Sequence, residues 1–220
     1  MVGARALHHL LASDTVATVV AVGRRLLTWQ HDKLVSRVVD MQSKTAIASA
    51  IPDGNAVAIC CLGTTLKRAG SKEAFRAVDY DAVVAFGEAA REQGAQRFVL
   101  VSSVGANPRT GNFYLRTKGE TEDALARLGY PQLTVVRPSF IDDEGARVER
   151  RPLERVTLPI ARLVFSIVGR TSRYAPVSAD VIGKAIVRLA FDNTTERVRI
   201  VESAALHALG ERTAKIVCKR

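Results

Sequence analysis

Residues that can exchange a proton with a small molecule stand in order in the middle of the chain. Tyr114 and Lys118 are four residues apart, and Ser102 and Ser103 precede them directly after an apolar run. On a helix this spacing places the phenol and the ammonium on one face. An ammonium next to a phenol favours the phenolate and lowers the pKa of the phenol, which suits general acid-base chemistry near neutral pH.

A serine hydroxyl at the end of the preceding strand could hold the substrate oxygen while the phenol transfers the proton. Ser103 is the first choice for this role and Ser102 the second. The alternative interpretation is that tyrosine and lysine at this spacing belong to an ordinary solvated helix. The serines just upstream favour the catalytic interpretation.

The elements that must position these residues alternate between apolar runs and helical patterns. Strands are predicted over 15–22, 33–39, 56–62, 97–101, 133–136 and 198–201, and helices over 4–13, 73–93, 112–128 and 181–191. Apolar strands that are separated by helices are typical of a parallel sheet covered on both faces. The sequence therefore predicts one doubly wound α/β domain over residues 1–220, with ligands at the carboxyl ends of its strands.

Composition excludes several classes of protein. The chain has 32 Lys+Arg against 22 Asp+Glu, a net charge of +10, which could suit nucleic acid, an anionic membrane or a small anion. The basic residues are dispersed, aromatic residues make up only 5%, and no recognition motif is present, so nucleic acid is not favoured. No apolar run reaches the roughly 18–20 residues that span a bilayer. The dense cluster at 147–155 is expected to be a solvated face.

The cysteines and histidines indicate a reducing compartment and give no sign of a metal site. Cys60 and Cys61 are adjacent in a predicted strand, so their side chains face opposite ways and form no disulfide framework. Cys61 could be a reactive thiol, although a small buried side chain is favoured. No spacing of histidines suggests a metal site. We therefore predict a reducing, cytoplasmic location and no metal.

Four stretches of the chain carry a resemblance to a known family. They are CCLGTTLKRAGSKEAFRAVDY at 60–80, FVLVSSVGANP at 98–108, NFYLRTKGETE at 112–122 and LTVVRPSFI at 133–141. Together they resemble the short-chain dehydrogenase/reductases, and within them the atypical NADP-binding branch related to the Tat-interacting oxidoreductase. The resemblance implies a Rossmann fold, Tyr114 as proton donor and acceptor, Lys118 on the nicotinamide ribose, and Ser103 on the substrate.

The resemblance also implies a cofactor site, and the residue types indicate which cofactor. Arg24 and Arg25 follow a strand at the place where an acidic residue would bind the ribose 2′-hydroxyl. Arginines suit a 2′-phosphate, so NADP is expected rather than NAD, although a solvated strand end is the alternative. The other expected cofactor contacts are Gly3, Asp40, Met41, Leu62, Gly63, Thr64, Thr65, Ser102, Tyr114, Lys118, Pro138, Ser139 and Ile141.

The front of the chain departs from the family pattern. The family opens with a strand and a Gly-x-x-Gly-x-x-Gly loop that cradles the pyrophosphate. Here Gly3 aligns with the third glycine, and the first two glycines and their strand have no counterpart. Losing a central strand would leave unpaired edges, so we expect Met1 to be an internal methionine of a longer natural chain.

Three functions remain to be weighed. The first is an NADP-dependent oxidoreductase that reduces a carbonyl or oxidises an alcohol on an unknown small molecule. The second is a non-catalytic NADP-sensing protein that regulates a partner, and fold analogy does not separate the two. The third, nucleic-acid binding, rests on charge alone. A homodimer or a protein partner is possible in the first two cases.

Overall fold

The computed structural model describes residues 1–54, 56–142 and 174–211, so the charged cluster predicted at 147–155 lies outside it. Its helices are α1 (Val2–Leu11), α2 (Lys44–Ala48), α3 (Leu66–Ala69), α4 (Lys72–Arg76), the π turn (Ala77–Asp81), α5 (Ala82–Glu92), α6 (Phe113–Arg127), α7 (Ala179–Phe191) and α8 (Ser203–Glu211). Its strands are β1 (Val19–Gly23), β2 (Leu34–Val38), β3 (Val57–Cys60), β4 (Arg97–Val101), β5 (Gln132–Arg137), β6 (Ile141–Asp142), β7 (Val177–Ser178) and β8 (Val198–Glu202).

Every strand pair in these described ranges is parallel, which confirms the predicted doubly wound α/β fold. The main sheet has the order β3-β4-β5-β8, while β1-β2 and β6-β7 form separate two-stranded ladders. The expectation that a helix separates each pair of strands is wrong at two places in the described ranges. Residues 24–33 join β1 to β2 and residues 138–140 join β5 to β6, in both cases without a helix.

Strands β1 and β3 do not pair with each other within the described residues. The side chains of β1 are all half-buried, whereas Val99 and Leu100 in the middle of β4 are each 2% exposed. Each of the two strands therefore has one open edge in this part of the chain. That the chain is truncated relative to its family stays a prediction.

Helices cover both faces of the main sheet. Val99, Val136 and Val201 pack on one face with residues of α1, α7 and α8. Phe98 and Leu133 pack on the other face with residues of α5 and α6. Because adjacent residues of β4 face opposite ways, the apolar run at 97–101 serves both layers. No helix in the described ranges is long and apolar enough to cross a membrane.

The helix predicted over 73–93 is in fact three pieces. The π turn separates α4 from α5, and within it the amide of Ala82 donates to the carbonyl of Ala77. One inserted residue barely disturbs an apolar repeat, so periodicity does not reveal such a turn. The short helices α2 and α3 were not predicted, although the hydroxyls of Ser43 and Thr65 cap them at the positions that such residues favour.

The contact between α1 and α7 gives a pH-dependent prediction. Lys184 Nζ lies 2.9 Å from one carboxylate oxygen of Asp180, and His9 Nε2 lies 2.7 Å from the other. The hydrogen bond from Lys184 and then that from His9 lower the pKa of Asp180. A carboxyl with a lowered folded pKa stabilises the fold above its unfolded pKa, and this contribution is lost as pH falls through the folded value.

We expect Asp180→Asn to lower the Tm near neutral pH, and we expect this difference to shrink as pH falls through the lowered folded pKa of Asp180. The effect is small because the carboxylate is partly exposed. Thermal melts across the acidic range measure it, with Asp14→Asn at an exposed carboxyl as the control. A Tm difference that stays constant down to the lowest pH would contradict the assignment.

Candidate functional site

Helix α6 carries the tyrosine and the lysine at the carboxyl edge of the main sheet. The side chain of Asn112 accepts a hydrogen bond from the amide of Leu115 at 3.1 Å and so fixes where the helix begins. Tyr114 lies in the first turn and Lys118 in the second, on the same face. The predicted helix and its start are confirmed, so local sequence alone orients this pair of residues.

Lys118 is buried, and its ammonium has a partner that we did not predict. The side chain of Lys118 is 7% exposed, and Nζ lies 2.7 Å from Oδ1 of Asp79, whose side chain is fully buried in the π turn. The other oxygen, Oδ2, accepts a hydrogen bond of 2.8 Å from the amide of Thr64. A single carboxylate therefore joins α6, the π turn and the loop after β3.

Sequence reasoning missed Asp79, although a signal was present. It lies four residues after Phe75 and four before Val83, both fully buried, so it occupies the apolar stripe of the predicted helix. A carboxylate in such a stripe needs a cationic or donor partner nearby. That Lys118 is the partner could not be read from spacing, because the two residues lie on different helices.

The side chains of Tyr114 and Ser103 remain open to a ligand. The Tyr114 ring packs against Phe75, with ring centroids 5.5 Å apart, and its hydroxyl makes no hydrogen bond to any described residue. The hydroxyl of Ser103 makes one long contact of 3.4 Å to the carbonyl of Val104. Because both hydroxyls are weakly engaged or free, they can contact a bound molecule without first breaking a strong internal bond.

Ser102 is committed elsewhere in the fold. Its hydroxyl donates to Glu122, a buried carboxylate on α6. Glu122 also accepts hydrogen bonds from Nε and Nη2 of Arg137 at the end of β5. These hydrogen bonds raise the pKa of Arg137. The network ties β4, α6 and β5 together. Ser103, rather than Ser102, is therefore the serine that the geometry leaves for a ligand.

The residues that are expected to contact the adenosine half of a cofactor differ in how far they are exposed to solvent. Arg24 and Arg25 are exposed directly after β1. The carboxylate of Asp40, also exposed, accepts a hydrogen bond of 2.9 Å from the amide of Gln42. Met41 is only 5% exposed and packs in a cluster with Ile47, Ala82 and Ala89. Met41 thus lines the core at this position and offers little surface to a ligand.

The loop after β3 approaches the ion pair closely. A Cβ added at Gly63 would lie 3.5 Å from both Asp79 Oδ1 and Lys118 Nζ, so the backbone passes directly over the pair. Leu62 packs into the core on the α5 side of the sheet. The amide of Thr64 is used by Asp79, and the hydroxyl of Thr65 caps α3. Fewer free donors remain in this loop than its sequence suggests.

Hydrogen bonds and strand pairing hold the segment Pro138–Ile141 in place. The carbonyl of Pro138 accepts from the amide of Val104 at 2.9 Å, and this joins the segment to the loop that carries Ser103. The amide of Ser139 donates to Ser203, and its hydroxyl donates to the carbonyl of Ala175. Ile141 pairs with Val177 in the β6-β7 ladder. This segment can form one wall of a site but has few spare polar groups.

Gly3 and the cysteines meet where α1 passes the end of β3. A Cβ added at Gly3 would lie 3.1 Å from Cβ of Cys61, so a glycine permits the close approach of helix and strand. Burial raises the pKa of Cys60 to about 11 and that of Cys61 to about 12. Both thiols are therefore protonated near neutral pH, which favours the interpretation of Cys61 as a small buried side chain.

The first comparison with known proteins concerns relatives in sequence. The chain is 34% identical over 193 residues to the protein fmp52, mitochondrial, of Aspergillus niger, covering 85% of this chain and 81% of that protein. It is 35% identical over 151 residues to the protein HTATIP2 of Rattus norvegicus, covering 67% of this chain and 61% of that protein. The predicted resemblance to the Tat-interacting branch is confirmed.

These relatives also correct the predicted location. Several fungal relatives, from Aspergillus niger, Emericella nidulans and Eremothecium gossypii, are named mitochondrial, so the cytoplasmic prediction is wrong. The prediction rested on unpaired cysteines, which indicate a reducing compartment without saying which one. Composition therefore does not distinguish between intracellular compartments.

Solved structures agree on the fold. The described backbone is similar to an oxidoreductase of the short-chain dehydrogenase/reductase family from Burkholderia thailandensis, with a TM-score of 0.60 and 20% identity over 93% of this chain and 88% of that chain. Residues 1–160 match the family described as NAD(P)H-binding. With the family matched over most of the chain, this protein belongs to the NAD(P)H-binding family of oxidoreductase-like Rossmann proteins.

Proposed function

We propose that the chain is an NADP-dependent oxidoreductase that reduces a carbonyl, or oxidises the corresponding alcohol, on a small molecule. The observation that carries this proposal is the anchoring of Lys118 at the carboxyl end of β3, one helical turn from the free hydroxyl of Tyr114. Ser103 completes the set from the end of β4. A lysine, a free phenol and a free serine at one sheet edge suit proton transfer to a carbonyl oxygen.

The residues present fit a dinucleotide with a 2′-phosphate. Arg24 and Arg25 offer two exposed guanidinium groups at the end of β1, where planar bidentate donors suit a phosphate. The loop at Gly63 lets backbone approach the buried ion pair without a side chain in the way. When bound, NADPH would supply the hydride that the carbonyl carbon accepts.

The roles of the side chains follow from what each can donate. Tyr114 would give its proton to the carbonyl oxygen during reduction and take it back during oxidation. Ser103 would donate a hydrogen bond to the same oxygen and so hold it within reach of the phenol. The ammonium of Lys118 lies against Asp79 and carries three N–H donors, which would also bind the ribose hydroxyls.

Turnover of NADPH tests the proposal directly. The purified chain is mixed with NADPH and a panel of aldehydes and ketones, and the loss of NADPH absorbance is followed. Consumption that depends on one class of carbonyl would support the proposal. Tight binding of NADPH without turnover on any substrate would overturn the enzymatic role and favour an NADP-sensing protein.

Cofactor preference gives a separate prediction. We expect Arg24→Ala and Arg25→Ala each to weaken NADPH binding by about tenfold or more, because each removes a charge-assisted contact to the 2′-phosphate. Affinity for NADH should change little, since NADH lacks that phosphate. Fluorescence titration with both nucleotides measures the effect.

The matched control is Arg197→Ala, at an arginine whose Nη1 binds the carbonyl of Ala126 on another part of the surface. It should leave both affinities unchanged. Equal losses of NADPH and NADH affinity in the Arg24 and Arg25 variants would contradict a 2′-phosphate site at β1.

A further inference from the structure

The buried contact between Asp79 and Lys118 changes what the lysine can do for the site. Lys118 has its ammonium at 2.7 Å from a carboxylate that is fully buried, so the two charges form a neutral pair in a region that excludes water. An isolated ammonium would act on Tyr114 with its full charge. A paired ammonium acts as a dipole, whose field falls off faster with distance.

Besides the ion pair, two contacts hold the carboxylate and its backbone in place. Oδ2 of Asp79 accepts from the amide of Thr64 at 2.8 Å, and the hydroxyl of Thr121 on α6 lies 2.9 Å from the Asp79 carbonyl. The hydroxyl of Thr121 also lies 2.8 Å from the carbonyl of Thr117, so it joins α6 to the π turn. The pairing with Lys118 is therefore built into the fold and does not depend on a flexible surface side chain.

The packing links this pair to Tyr114. Phe75, in the helix that leads into the π turn, contacts the Tyr114 ring, and Lys118 follows Tyr114 by one helical turn. The charged and titratable groups on α4, the π turn, α6 and the end of β3, besides Tyr114 itself, are Lys72, Glu73, Arg76, Asp79, Tyr80, Asp81, Arg116, Lys118, Glu120, Glu122, Asp123, Arg127 and Cys60.

Most of these groups cannot change the charge near the phenol. Glu120 pairs with both Arg76 and Arg116, and Glu122 pairs with Arg137. Burial raises the pKa of Cys60 to about 11, so this thiol is uncharged near neutral pH. Among these groups Asp79 is the carboxylate that lies against the ammonium of Lys118, so its charge decides how much of the lysine charge Tyr114 experiences.

We propose that Asp79 is a positioning residue of the site: it fixes Lys118 to the Gly63–Thr65 loop and offsets the lysine charge, so that Tyr114 retains its proton more strongly than a lysine without a counterion would allow. The inference deepens the proposed function, because it takes Tyr114 as the group that transfers the proton. On this proposal the buried carboxylate of Asp79 controls how readily Tyr114 releases its proton.

The ionisation of Tyr114 can be followed without cofactor or substrate. The tyrosines are labelled with carbon-13 at the ring carbon that bears the hydroxyl, and NMR spectra are recorded through the alkaline range. The signal that is lost in Tyr114→Phe belongs to Tyr114. Burial raises the pKa of Tyr130, which separates its titration from the others. The measurement needs no turnover, so a failure of the proposed enzymatic function would leave it intact.

We expect Asp79→Asn to move the Tyr114 titration midpoint down by about one pH unit, since it leaves the ammonium without its counterion. The double variant Asp79→Asn/Lys118→Gln removes both charges and should return the midpoint close to that of the wild type. Thr121→Val is the control, because it loosens the same turn without changing any charge and should leave the midpoint in place.

Two outcomes would overturn the proposal. The first is a Tyr114 midpoint that does not move in folded Asp79→Asn, which would make Asp79 a purely structural residue. The second is a midpoint in the double variant well above that of the wild type, which would mean that Lys118 acts with its full charge despite Asp79. The double variant leaves no unpaired buried charge, so it decides the question even if Asp79→Asn alone does not fold.

Discussion

Replacing Tyr114 with phenylalanine is expected to lower kcat/KM for carbonyl reduction by about 100- to 10,000-fold, the usual contribution of a positioned general acid. The ring keeps its contact with Phe75, so the fold and the neighbouring α6 are undisturbed. The affinity for NADPH should remain within about twofold, because most of the expected cofactor contacts come from other residues. Steady-state kinetics together with NADPH titration separates the loss of proton transfer from a loss of binding.

The chain offers a matched control for this experiment. Tyr80 is half-buried like Tyr114, and its ring packs on a neighbouring side chain, with the guanidinium carbon of Arg76 4.1 Å from the ring centroid. Tyr80→Phe removes the same kind of hydroxyl group from the π turn. It should leave kcat/KM almost unchanged. Similar rates for Tyr114→Phe and the wild type would remove Tyr114 from the mechanism.

The second large effect is on stability, at the ion pair between Asp79 and Lys118. The side chains are 0% and 7% exposed, so removing one partner leaves the other as a buried charge without compensation. We expect Asp79→Leu or Lys118→Leu to lower the free energy of unfolding by about 3–5 kcal/mol each. The double variant should lose much less than the sum, because two apolar side chains replace two charges that cost free energy to bury.

An exposed ion pair in the same molecule provides the comparison. Lys44 and Glu92 lie 2.8 Å apart with side chains that are 43% and 57% exposed. Solvent and salt screen such a pair, so removing either charge should cost far less than removing one partner of the buried pair. Denaturant unfolding of both sets of variants measures the difference. Equal, additive losses at the two sites would contradict the buried coupling between Asp79 and Lys118.

Local sequence determined much of the fold and part of the site. Both ends of β4 are predicted at the correct residues. A short apolar run that is bounded by polar residues is typical of a buried parallel strand, so its limits can be read from the sequence. Asn112 marks the start of α6 through its capping preference, and the spacing of Tyr114 and Lys118 then fixes their shared face. The four stretches that resemble the family were sufficient to identify it.

Tertiary structure alone decided which polar groups are free. Ser102 and Ser103 are adjacent and of one type, yet one donates to the buried Glu122 and the other is left nearly free, because adjacent residues at a strand end face different ways. Met41 is buried by packing against α2 and α5, which no local pattern indicates.

The partner of Lys118 was likewise decided only by packing. A single inserted residue in the π turn and the contact of two helices distant in sequence bring Asp79 to the ammonium. The sequence by itself determined most of the longer elements and the residue types that they carry, since periodicity and capping act over a few residues. The long-range pairing of charges depends on how those elements pack, and only the tertiary structure decided it.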